Sequence, residues 1–564
     1  MTSETTLQIS RDLARSKNAM VAAKHPWAVR AALDILDKGG NAVDAAATAA
    51  FAIGVLEPWM SGIGGVGFMT IQMAGGERVV IDYFGRAPQA ARSDMFELTG
   101  EERSVVGFGG VKDQANAYGP LSCVVPGMVA GLALAVERYG NRDLAEVIAP
   151  AIIFADEGFE VDWYNGMLLS SQQKTMTRNP ETERIFLTNG TPPAPLFGAP
   201  APRIRQPELA GTLRKIAEQG PDGFYKGDVA ERIADHLQSL GGIMTADDLA
   251  RFEPTVVDPI VVDYQGYELV LLPYQGGGIT LAESFNILEG LDIRTTGFNT
   301  ATTLHHITEA SRRAFADRFA YVGDPDHVDI NWERLASKEY GNQRRDEITP
   351  QRASQPGPGE DIVGTGIKQK VSVQMDGGCT THLSVVDKDG NMVSVTQTLT
   401  LIFGSAVTVP GVGVLMNDTM NLFEPIPGRF NSIAPWKRPA SNMAHVIAVK
   451  DGQPVLAVGA PGGRRIIDTC LQMTLDVLDF DLDIQLACAA PLIDASSAEE
   501  LLVDTRIGQR TRDKLREMGH RVVDAEVTFA PRAFASPTGV TVDPDTGLRY
   551  GGADPFGIGI AAGR

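Results

Sequence analysis

The stretch that most constrains this chain begins at Cys379 and reads Cys-Thr-Thr-His-Leu-Ser-Val-Val-Asp, ending at Asp387. Leu383, Val385 and Val386 give it the apolar body of a buried strand. Asp387-Lys388-Asp389-Gly390-Asn391 follows as a turn of residues that tolerate left-handed backbone. A second β-branched run occupies 392–399, so Thr380 opens a hairpin whose strands belong in the core. Just upstream, Asp376-Gly377-Gly378 lets the backbone bend without Cβ clashes. A hydroxyl residue between a pliable loop and a rigid hairpin can attack its own preceding carbonyl. Two threonines also suit a strand by composition alone, and from these residues both readings stand.

The 564 residues, 43% of them hydrophobic, suffice for one large core or two to three ordinary ones. A formal net charge of -20 without a basic stripe argues against a nucleic-acid partner. The four cysteines, Cys123, Cys379, Cys470 and Cys488, are too scattered for a disulfide framework or a metal cluster. Residues 1–24 are polar and lack the apolar core of a signal peptide, and no segment is built to span a bilayer. The expectation is a cytoplasmic protein without a membrane partner.

Along the chain, Pro26 starts a helix that Gly39-Gly40 ends, and Asn41 caps an alanine-rich helix over 42–56. Gly62, Gly64 and Gly67 have the spacing of a dinucleotide loop, but a helix precedes them and a strand-like run, 68–73, follows. That order is inverted for pyrophosphate binding, so a tight glycine-lined loop beside an active site is expected. Gln275-Gly276-Gly277-Gly278 precedes a helix over 281–288 and reads as a structural turn. Helical spacing over 304–321 places His305 and His306 at the surface rather than as ligands, and no metal cage or cofactor is expected. Ser, Pro and Gly over 351–359 read as a flexible linker shortly before Thr380.

Several separated blocks stand out: Thr380-Thr381-His382 with Thr396-x-Thr398 and Phe403-Gly404-Ser405, Gly39-Gly40-Asn41-Ala42-Val43-Asp44, and Gly62-Ile63-Gly64-Gly65. Val125-Pro126-Gly127, Ala316-Asp317-Arg318, Lys437-Arg438-Pro439 and Ala460-Pro461-Gly462-Gly463 complete the set. Together they resemble the gamma-glutamyltransferase family of N-terminal-nucleophile hydrolases. The resemblance implies an α+β fold, a four-layer αββα sandwich of two subunits cut from one precursor. Residues 1–379 would form a large, mostly helical subunit and 380–564 a small one, associated as a heterodimer.

The resemblance also implies the chemistry. Cleavage of the Cys379–Thr380 bond would free an α-amino group, with an ordinary pKa of about 7.7–8.0, as the base for the Thr380 hydroxyl. Thr398 aligns with the threonine that holds the nucleophile, and Gly462 and Gly463 with the oxyanion-hole pair. The substrate would be a small-molecule amide, and the acceptor water or an amine.

The acyl pocket departs from the family pattern. Relatives that act on glutathione grip the glutamyl α-carboxylate with an arginine. Here Asp82-Tyr83-Phe84-Gly85-Arg86 puts Phe84 at that position and Arg86 two residues later. The aspartate that holds the α-ammonium becomes Leu422, its polar helpers align with Thr400 and Thr419, and the serine pair becomes Ser441-Asn442. Arg86 and Asn442 remain available for a carboxylate or carbonyl. An acyl group lacking the α-ammonium is therefore expected, as in the cephalosporin-acylase-like branch. The alternative is a true gamma-glutamyltransferase or glutathione hydrolase. A non-catalytic binding protein is disfavoured by the intact set at Thr380, Thr398, Gly462 and Gly463.

Overall fold

A computed structural model describes residues 9–100, 109–360, 362, 378–529 and 533–564. The bend expected at Asp376-Gly377 and the first eight residues lie outside them. Two seven-stranded sheets, antiparallel throughout, stack face to face. In the first, the order is Ile560–Gly563, Met20–Ala23, Gly378–Val386, Met392–Leu401, Val66–Gln72, Arg78–Tyr83 and Thr255–Val257. The second runs Ala14–Ser16, Arg549–Ala553, Thr538–Val542, Gln453–Gly459, His445–Lys450, Tyr267–Leu271 and Ile260–Tyr264.

Three apolar layers account for the stacking. Leu383, Val385, Val393 and Val395 point from the first sheet into a helical layer centred on Ala42–Leu56. The alternate residues Val386 and Met392 face the second sheet, meeting Val270, Ile447 and Ala457. The far face of the second sheet packs on helices Gly278–Glu289, Ala301–Tyr321 and Arg465–Leu478. The result is the four-layer αββα sandwich.

Helix Ala42–Leu56 is buried at every position, because alanine lets neighbours approach from all sides. Asn41 caps it, with Asp44 closing the reciprocal bond of a capping box. The stretch 351–359 has no helix or strand, as its composition implies, yet it is docked. Ser354 bonds Glu309, the Gly357 carbonyl accepts from Arg344, and the Gly359 carbonyl accepts from Tyr321. Among the described residues no helix is long and apolar enough to cross a membrane.

Candidate active site

Thr380 lies where the strand Gly378–Val386 leaves regular pairing. The register with Met392–Leu401 shifts between Cys379 and Thr381, so the Cys379–Thr380 bond sits in an irregularity of the ladder. The Thr380 and Thr398 hydroxyls both donate to the Cys379 carbonyl, and the two oxygens lie 3.3 Å apart. The Thr400 amide donates to the Thr398 oxygen at 2.8 Å, which leaves the hydroxyl proton to point at the carbonyl. Thr400 holds φ at 95°, a conformation a β-branched residue adopts at a cost of roughly 1–3 kcal/mol. Its hydroxyl meets that of Thr419 at 2.8 Å. With the Thr398 hydroxyl donating to this carbonyl and the Thr380 hydroxyl beside it on the next residue, the arrangement can support attack by Thr380 on that carbonyl.

Cys379 turns to the opposite face. Its thiol donates toward the carbonyls of Trp59 and Met60 at 3.2 and 3.1 Å, and burial pushes its pKa well up. Gly65 brings the neighbouring strand close: a Cβ there would stand 2.5 Å from the Thr398 carbonyl oxygen. The glycine-lined loop is thus a close-approach device beside Thr398, as expected.

Gly462 and Gly463 form the turn between strand Gln453–Gly459 and helix Arg465–Leu478, with φ of 154° and 64°. The strand ends against His382, where a Cβ on Gly459 would come within 2.3 Å of the imidazole. The glycine turn therefore leaves its strand beside the residue two positions after Thr380.

Between the sheets runs a buried polar chain that sequence reasoning did not find. His382 bonds Ser384 at 3.0 Å and Thr396 at 2.9 Å, Thr396 bonds His445 at 3.0 Å, and His445 reaches Thr70 at 2.6 Å. Burial lowers the His382 pKa well below its ordinary value and that of His445 to about 3, so both rings are neutral. Asp418 was missed too. It accepts from the Leu401 amide at 2.9 Å and from Asn421, and burial pushes its pKa well up.

The acyl-pocket positions divide into two settings. Phe84 stacks on Phe68 with ring centroids 5.1 Å apart, and both share one apolar cluster with Leu422, Met420, Phe423 and Met443. Arg86 instead donates to the Trp436 carbonyl at 3.1 Å and to Asp326 at 3.3 Å. The Ser441 hydroxyl accepts from the Met443 amide, its backbone is held by Arg318 and the Gln275 carbonyl, and Asn442 is half-buried. Gln275 also donates to Asp82, consistent with a structural turn.

Arg438 links these segments. It bonds Asp82 at 3.0 Å, Asp324 at 2.7 Å and Asp326 at 2.9 Å. The Lys-Arg-Pro block marked the arginine in the sequence, but its three partners lie far from it along the chain.

The surface placement of His305 and His306 is wrong: both are buried. Helix Ala301–Tyr321 is covered on nearly every side, so its apolar spacing does not mark a single buried face. His305 bonds His520 at 2.8 Å and the Thr349 carbonyl at 2.9 Å, and Glu309 lies in the same cluster. The Glu309 carboxylate is taken up by the Ser354 amide at 3.0 Å and Arg313 at 2.9 Å.

Three comparisons bear on this arrangement. The family model described as Gamma-glutamyltranspeptidase matches residues 28–564. The chain is 36% identical to the glutathione hydrolase proenzyme of Escherichia coli, over 96% of this chain and 91% of that one. It is 34% identical to the acylase ACY 1 proenzyme of Pseudomonas sp. (strain V22), over 98% and 95%. The crystal structure of cephalosporin acylase from Bacillus halodurans superposes with a TM-score of 0.87 at 30% identity, covering 100% of this chain and 98% of that chain. The chain therefore belongs to the gamma-glutamyltranspeptidase family and is an enzyme of the amidohydrolase and gamma-glutamyltransferase type.

Proposed function

We propose that the chain is a precursor that cuts itself between Cys379 and Thr380 and then hydrolyses amides whose acyl group lacks the glutamyl α-ammonium. In the cut, the Thr380 oxygen bonds to the Cys379 carbonyl carbon, the C–N bond breaks, and the nitrogen becomes the α-amino group. Water then hydrolyses the ester and releases the Cys379 carboxylate. In each turnover the α-amino group takes the hydroxyl proton, Thr380 forms an acyl ester, and the proton passes to the leaving amine. Gly462 and Gly463 serve as oxyanion donors, Thr398 positions the nucleophile, and water or an amine accepts the acyl group. Residues 1–379 and 380–564 stay together as a heterodimer.

The observation that carries the substrate reading is the shared apolar cluster of Phe84 and Leu422. An ammonium or carboxylate placed there would be buried without a partner, at a cost of about 3–5 kcal/mol. Arg86 and Asn442, with Ser441, Thr400 and Thr419, offer polar contacts for the rest of the acyl group. Similarity to an acylase and a cephalosporin acylase supports this reading, whereas similarity to a glutathione hydrolase supports the γ-glutamyl alternative. Turnover of a γ-glutamyl anilide against a glutaryl anilide separates them. The glutaryl compound should be the better substrate. Efficient γ-glutamyl hydrolysis, unaffected by Leu422→Ala, would refute the reading.

A further inference from the structure

Beyond the end of strand Gln453–Gly459 the chain stays paired. Gly459 lies opposite Thr538 in the second sheet, and the same antiparallel register carried on sets Pro461 opposite Ser536 and Gly462 opposite Ala535. The Ser536 amide donates to the Pro461 carbonyl at 2.9 Å. A Cβ on Gly462 would stand 2.5 Å from the Ala535 Cβ, so the two segments touch here. Ser536 is itself tied down. Its hydroxyl donates to Asp554, whose amide donates to the Pro537 carbonyl at 2.8 Å. The other Asp554 carboxylate oxygen takes the Phe556 amide at 3.1 Å. Pro461, Ala535 and Ser536 are buried, whereas Gly462 and Gly463 are half-buried.

In a trans peptide the carbonyl and the following N–H point in opposite directions. Ser536 holds the Pro461 carbonyl toward the side of strand Thr538–Val542, so the Gly462 N–H points away from that side. Across Gln453–Gly459 lies strand His445–Lys450, which Ser441 and Asn442 lead into. Among the described residues neither the Gly462 nor the Gly463 amide has a hydrogen-bond acceptor. Glycine backbone at φ of 154° and 64° turns easily, and a carbonyl held from outside removes that freedom from the shared peptide. We propose that Ser536, anchored by Asp554, is a positioning residue for amide hydrolysis that aims the Gly462 N–H at the oxyanion. The assignment rests on the acyl-Thr380 reading of this site.

Turnover of a chromogenic anilide, read beside self-cleavage and thermal unfolding of the same samples, tests it on the full chain. Ser536→Pro, which removes the amide proton, should lower kcat by roughly 10²-fold and leave KM near its wild-type value. Self-cleavage acts on the Cys379 carbonyl, which Thr398 serves, so this variant should still be cut completely. Ser536→Thr, which keeps both amide and hydroxyl, should restore most of kcat. Should Ser536→Pro fail to fold, Ala535→Val, which keeps the amide of Ser536 and presses on Gly462 directly, should lower kcat in the same way. Wild-type kcat in either folded variant would overturn the assignment, as would a loss of kcat that only tracks lost self-cleavage or a lower transition temperature. A wild type that cuts itself yet turns over no amide would instead refute the hydrolase reading, and the assignment with it.

Discussion

One hydroxyl at Thr398 performs two tasks. It accepts the Thr400 amide and donates to the Cys379 carbonyl, so the strained backbone at Thr400 serves to aim a proton. Losing one such donor in comparable sites costs about 2.7–4 kcal/mol. Thr398→Ala should accordingly slow self-cleavage by roughly 10²–10³-fold, while Thr398→Ser, which keeps the hydroxyl, should stay far closer to wild type. Band intensities on a denaturing gel over time measure it, and cleavage of Thr398→Ala at the normal rate would show that the contact is incidental. The thiol of Cys379 points away toward Trp59 and Met60. Cys379→Ser should therefore process at nearly the wild-type rate, whereas Thr380→Ala should remain one uncut chain. Cleavage of the Thr380→Ala variant at the same bond, read by N-terminal sequencing, would assign the cut to another group. The hairpin that carries these residues was legible in the sequence because its two strands and turn are contiguous, while the roles expected of Thr380 and Thr398 came from the resemblance. The pairing of Arg438 with its aspartates was not legible, since only the fold joins positions 82, 324 and 438. His305 failed for a related reason, because its partner His520 is brought to it only by tertiary structure.

At the scale of elements, the two sheets meet through an apolar patch and through the chain Thr70–His445–Thr396–His382–Ser384. His445 is fully enclosed with its pKa lowered to about 3, against an ordinary value near 6.5. The sign follows directly. Below about pH 6.5 the unfolded chain binds a proton that the folded chain refuses, so stability falls as pH falls toward 3. Between pH 6.5 and 5 this histidine should cost about 2 kcal/mol. Asp468, raised to about 7 by burial and by Asp494, acts oppositely, because its folded form gains a proton on acidification. Comparison of variants isolates one group from the other. Denaturant midpoints for wild type and His445→Gln, taken at pH 7 and at pH 5, should show a smaller acid loss in the variant. Parallel losses would mean that His445 does not control the inter-sheet titration. Hairpin strands were readable from two apolar, β-branched runs either side of a turn, and the fold puts Leu383 and Val385 on one face with His382 and Ser384 on the other. Sheet order was not readable that way, because Met20–Ala23 pairs with Ile560–Gly563 across nearly the whole chain. The four-layer architecture came from the resemblance of separated motifs.

Across the whole molecule, the proposed cut falls where the two products are most interleaved. Met20–Ala23, from the first 379 residues, lies between Ile560–Gly563 and Gly378–Val386, bonded to both. Val66–Gln72 pairs with Met392–Leu401 in the same sheet. In the second sheet Ala14–Ser16 pairs with Arg549–Ala553, and Tyr267–Leu271 with His445–Lys450. Neither product owns either seven-stranded sheet, and separating them would open five ladders and expose the apolar layers on both sides of each of these sheets. Hydrolysis of one peptide bond changes none of those contacts. It removes a chain connection, which acts mainly on the unfolded ensemble. The cleaved protein should therefore elute from a sizing column as one species holding both fragments and unfold in one cooperative transition. Each fragment expressed alone should be insoluble or unfolded, since every strand at a torn ladder would present an unpaired edge. Elution of two folded fragments under native conditions would show that each half carries its own core, and the interleaved sheets would then not be the unit of stability.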